Sequence, residues 1–176
     1  MHGATITQCP EPLQVPGPIP ALAYSLTLPA APRSAAVARI ATASALRAHG
    51  LGPLTDPAVL AASELAACAA KFSPSEAEIY LSLRHRDDAL HLVAYDAHPR
   101  HTHPRLAAAC DARRRASLRV LVCLVKACGG TWGLGPAHEP TGGTRTWVVL
   151  PTQETTAFAT VCVDGPLPRL DTAFRE

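Results

Sequence analysis

A chain of 176 residues has room for one domain of ordinary size plus tails, and with 48% hydrophobic and 17% charged residues it lies in the globular range, which excludes a wholly disordered chain. A formal net charge of +2 gives no basic stripe, so neither nucleic acid nor a membrane surface is an expected partner, and the run Arg113-Arg114-Arg115 reads as a solvated helix start. No apolar stretch reaches the roughly 18–20 residues of a membrane span. The N-terminus also lacks a basic region followed by an apolar core, and the cysteines lie mostly in apolar or helical stretches, so a reducing, cytoplasmic location is expected.

Residues 1–21 carry Pro10, Pro12, Pro16, Pro18 and Pro20, a density that blocks both helix and central strand, and are expected to be a flexible leader. From Leu22 the pattern alternates, with Leu22, Tyr24, Leu26 and Leu28 on one face, which predicts a strand ending at Pro29. Pro32 suits the first turn of a helix whose Val37, Ile40 and Ser44 share a face and whose stop is Gly50. Asp56-Pro57 reads as the start of an alanine-rich second helix that ends at Ser73-Pro74.

Next, Ile79, Leu81 and Leu83, then Leu90, Leu92 and Ala94, alternate with polar neighbours on either side of Arg86-Asp87-Asp88, the pattern of a β-hairpin with one buried face. Residues 97–112, with Pro99, Pro104 and three histidines, read as a mobile connection with one helical turn near residues 106–110. Ser117 then caps an apolar helix to Cys128, with Arg119 and Lys126 on its one wet face. Gly129-Gly130 ends that helix, a short strand follows at 131–134, and a last strand at 144–150 stops at Pro151. The tail, 152–176, holds a weak apolar run at 157–163, a loose end or an edge strand. The order predicts an α+β, two-layer α/β sandwich with helices on one face of a mixed sheet.

This order, with the strings Leu28-Pro29-Ala30-Ala31-Pro32-Arg33-Ser34, Ser63-Glu64-Leu65, Asp96 after the hairpin, and Gly142-Gly143-Thr144-Arg145-Thr146-Trp147-Val148-Val149-Leu150-Pro151, resembles the GHKL (histidine-kinase-like, Bergerat-fold) ATPases in their anti-sigma-factor branch, over residues 22–151. The resemblance implies that Glu64 would be a catalytic base or water orienter. It also implies that Cys68 stands where the family has a Mg²⁺-holding asparagine, that Asp96 would accept the adenine amine, and that Arg115-Ala116-Ser117-Leu118 replaces the Gly-x-Gly-Leu phosphate loop. Cys68, Lys71, Asp96, Arg115, Ser117 and Thr146 are thus the nucleotide-site candidates.

Glu64, Cys68 and Lys71 follow at i, i+4 and i+7 on one helical face. A thiol is a poor ligand for hard Mg²⁺, and side chains in place of both glycines would crowd the backbone approach to phosphate. The same residues also read as a solvated face around a small buried cysteine, and Asp96 as a turn-capping residue. The resemblance implies a regulator that binds a protein such as a sigma factor or its antagonist, with no cofactor expected. The alternatives are an ATP- and Mg²⁺-dependent serine/threonine protein kinase and a non-enzymatic homodimeric assembly module. His98, His101 and His103 are expected as exposed loop histidines, and Cys123 and Cys128 do not share a helical face, so no metal site is expected.

Overall fold

The computed structural model describes residues 21–137 and 143–156. The expected leader up to residue 20 and the apolar run at 157–163 lie outside them.

Strand β1, Ala23–Pro29, leads into helix α1, Ser34–Ala48, and the Ser34 hydroxyl donates to the Pro29 carbonyl at 2.6 Å, joining the two elements. Gly50, at φ 69°, supplies the left-handed turn that stops the chain. The buried face of α1 is Ser34, Ala38, Thr42 and Leu46, which corrects the expected face: Val37 is exposed and Ile40 is 68% exposed. Small residues explain this. Helix α2, Thr55–Phe72, presents Ala58, Ala61, Ala62 and Leu65 to the core, and only a partner face as small as Ala38 and Thr42 lets two helices approach closely.

Strands β2, Glu78–Arg86, and β3, Ala89–Asp96, form the expected hairpin. Its turn places Asp87 and Asp88 at φ 52° and 53°, a two-residue left-handed connection that aspartate tolerates. After the hairpin the chain departs from expectation. Pro104, which needs no backbone donor at a first helical turn, opens a full helix, α3, Pro104–Ser117. Helix α4, Arg119–Ala127, follows after a break at the buried Leu118 (φ −103°, ψ 19°). Ser117 therefore closes α3 instead of capping α4, and its hydroxyl donates to the Arg114 carbonyl at 2.8 Å. Strands β4, Thr131–Pro136, and β5, Thr144–Pro151, complete the sheet.

The sheet order is β1-β2-β3-β5-β4 and every neighbouring pair is antiparallel, which corrects the expected mixed sheet. Two features of connectivity account for this. Two helical passes, α1 and α2, lie between β1 and β2 and bring the chain back reversed, whereas a parallel neighbour needs a single crossover. Strands β3 and β4 do run the same way, but β5 inserts between them and pairs with both.

One face of the sheet is covered: Ile79, Leu81, Leu83, Leu90, Leu92, Val148 and Leu150 pack under α2 and α4, with Leu121, Leu124 and Val125 contributed by α4. The opposite face, which includes Tyr80, His91, Val93 and Trp147, is partly exposed. There Gly133 lies against the Trp147 indole, where an added Cβ would come within 2.6 Å of the ring. Among the described residues no helix is long and apolar enough to cross a membrane.

The facing of α1 yields one expected outcome: in urea denaturation Leu46→Ala costs about 2–5 kcal/mol, while Ile40→Ser stays within about 0.5 kcal/mol of the parent. Another comes from His91, whose Nε2 is buried without a hydrogen-bond partner among the described residues and whose pKa is lowered, chiefly by burial and then by Arg86. Folding therefore favours its neutral form. The stability it confers is fully present above the unfolded histidine value of about 6.5 and is lost as pH falls through the lower folded value. Unfolding midpoints measured across that interval should fall with acidification more steeply in the parent than in His91→Gln.

Candidate functional site

Asp96 ends β3 on the helix-covered face, opposite Thr144 of β5. An ionised carboxylate there, 5% exposed, needs a partner, and the chain provides one from α3. The Arg114 guanidinium meets Asp96 in a two-pronged pair, Nη2 donating to Oδ1 at 3.0 Å and Nη1 donating to Oδ2. Oδ1 also accepts the His98 backbone N–H at 3.0 Å. The guanidinium lies over the Phe72 ring, 4.2 Å from its centroid, so α2, β3 and α3 converge on one cation. Burial opposes the charge of Arg114, but the hydrogen bonds and attraction of Asp96, together with Cys110, outweigh it and raise its pKa.

Arg114 is 0% exposed, which corrects the reading of residues 113–115 as a solvated helix start: they close a helix, and the middle one is the most buried residue of α3. Three arginines in a row look alike in sequence, and only the rotation of α3 decides which one enters. Arg115, the residue singled out beforehand, points elsewhere, its guanidinium 5.5 Å from the centroid of the Trp132 ring.

The other candidates divide into two groups. Cys68, buried on α2, contacts the Ser117 hydroxyl at 3.4 Å, and burial pushes its thiol pKa up against the lowering effect of that contact. It is held as a neutral thiol. Lys71 and Ser117 line a cleft of about 800 Å³ with Phe72, His98, Leu106 and Arg113. Glu64, one helical turn before Cys68, is partly exposed and does not line that cleft. Thr146 is buried on β5 between Ala94 and Leu134, two residues from the strand end that faces Asp96.

The segment after β3 is tied down at several points. Thr144 donates to the His98 carbonyl at 3.3 Å, and Arg100 pairs with Asp111 of α3 at 3.0 Å. His98 and His101 bring their Nε2 atoms to 3.3 Å, and Cys110 joins them, the three ligand-type atoms lying within 4.8 Å of one another. His101 and His103 are exposed and precede α3, as expected of loop histidines, while His98 is half-buried; what the expectation did not include is a cluster of two of them with a cysteine. That cysteine is Cys110, whose orientation became visible only once residues 104–117 proved helical. The His98 pKa is lowered, first by burial and then by Arg114 and His101, against an opposing effect of Asp96. No protein-family model matches the chain, and no curated protein matches it significantly.

The Asp96–Arg114 pair carries a thermodynamic signature. Arg114→Met strands a buried carboxylate and should cost about 3–5 kcal/mol, as removal of one partner of a buried pair does. The double variant Asp96→Asn/Arg114→Met removes the stranded charge and should recover most of that loss, read as the difference between urea-unfolding free energies.

Proposed function

We propose that this chain is a regulatory protein of the type it resembles, the anti-sigma-factor branch of the GHKL ATPases, and that it acts by binding a protein partner without nucleotide turnover. The observation that supports this reading is the engagement of both Asp96 oxygens by Arg114. If Asp96 is the adenine-accepting aspartate, the chain's own guanidinium takes the place of the adenine amine.

The residues present do not fit Mg²⁺-ATP. A hard cation calls for oxygen ligands, but the position that would hold it is a buried neutral thiol turned to Ser117. The segment that would cradle phosphate is the last turn of α3 followed by Leu118, with Arg115 drawn toward Trp132. The partner class implied is a sigma factor or its antagonist. Val37 and Ile40, three residues apart on one exposed ridge of α1, are the kind of apolar surface such contacts use.

A second reading, an ATP-dependent serine/threonine kinase, is favoured by the cleft itself: about 800 Å³, with Lys71 and Arg113 on its walls, lies in the size range of small-molecule sites. Calorimetric titration with ATP and a non-hydrolysable analogue, with and without Mg²⁺, separates the two. No heat at millimolar nucleotide is the expected result, together with nucleotide-independent binding to a sigma factor or antagonist. Magnesium-dependent binding that Asp96→Asn abolishes would overturn the regulator reading in favour of the kinase.

A further inference from the structure

We propose that His98, His101 and Cys110 form a transition-metal site that takes Zn²⁺, with its fourth position open to the neighbouring cleft. The spacing supports this first. Tetrahedral Zn²⁺ with Zn–N bonds of about 2.0–2.1 Å holds two imidazole nitrogens about 3.3–3.4 Å apart, and the Nε2 atoms of His98 and His101 are 3.3 Å apart. Two neutral imidazoles facing each other through the same nitrogen share at most one proton, and a metal ion satisfies both lone pairs at once. The Cys110 sulfur lies in the same cluster, within 4.8 Å of a ring nitrogen of each histidine, and would supply the thiolate ligand of such a site.

The second support is how the ligands are held. His98 is fixed through its backbone on both sides, its N–H to Asp96 and its carbonyl to Thr144. Cys110 sits on α3 one turn before Arg114, whose side chain is locked in the core, and the Arg100–Asp111 pair ties the histidine segment to the helix beside Cys110. The backbone of His98 and the helix that carries Cys110 are thus tied down without any ion.

Electrostatics are compatible. The neighbouring Arg114 charge is neutralised by Asp96. On ligation the Cys110 proton leaves to solvent and the thiolate binds the ion. Two nitrogens and a sulfur select a borderline or soft ion and disfavour Mg²⁺ and Ca²⁺.

The test uses the full-length, tag-free chain stripped of metal and titrated with Zn²⁺ against a chromophoric chelator, with Co²⁺ as an absorbing substitute. One equivalent of Zn²⁺ should bind, unaffected by excess Mg²⁺, and Co²⁺ should show a thiolate charge-transfer band with tetrahedral visible absorption. His101→Ala and Cys110→Ser, both at sites accessible enough to leave the fold intact by circular dichroism, should each weaken binding by at least about 10–100-fold, the loss that even an outer-shell partner produces. Cys110→Ser should abolish the charge-transfer band, while His103→Ala should leave both readouts unchanged. Absence of stoichiometric binding, or binding retained by His101→Ala and Cys110→Ser, would overturn the proposal.

Discussion

A charged pair in a dry interior is a costly way to join two elements, and the Asp96–Arg114 pair shows what makes it tolerable. Each Asp96 oxygen receives a guanidinium N–H, one of them also accepts the His98 amide, and the flat face of the cation rests on Phe72. Desolvation is thereby offset by several directed contacts, and the geometry rejects displacement, because loss of either partner leaves the other uncompensated. The end of β3, the end of α2, the last turn of α3 and the start of the histidine segment all meet at this one contact.

The frame that holds it is simple. Five antiparallel strands expose one face and bury the other under α1, α2 and α4, and alanines on α2 bring the helices close. Insertion of β5 between β3 and β4 sets Thr144 opposite Asp96, and Gly143, at φ 88°, turns the chain so close to the Asp96 carbonyl that a side chain there has no room. The carboxylate is thus aimed by backbone on two strands before any side chain meets it.

Local patterns were legible in the sequence wherever local physics decides. The hairpin followed from alternation and the Asp87-Asp88 turn, and the ends of α1 and α2 followed from Gly50 and Ser73-Pro74. What depended on distant partners was not legible. Hydrophobicity favoured Val37 and Ile40 as the inner face of α1, but the size of the facing α2 residues decided for Ala38 and Thr42. The position of β5 between two co-directional strands leaves no local mark. At the site, the need of Asp96 for a partner could be read, but which of three adjacent arginines would supply it could not. Prolines and histidines hid a helix behind the appearance of a loop, and with it the approach of Cys110 to His98 and His101.

Of all the residues of α3, only Arg114 is fully buried, and among the described residues the helix shares no extended packing interface with another element. The break at Leu118 separates it from α4, which belongs to the core. Helix α3 thus meets the rest of the described fold mainly through polar anchors, the Arg114–Asp96 and Arg100–Asp111 pairs and the Ser117–Cys68 contact, and sparsely packed elements of this kind are where local opening concentrates. Amide-hydrogen exchange along residues 104–117 would therefore gauge how firmly those anchors hold, and a change at any of them would register along the whole helix.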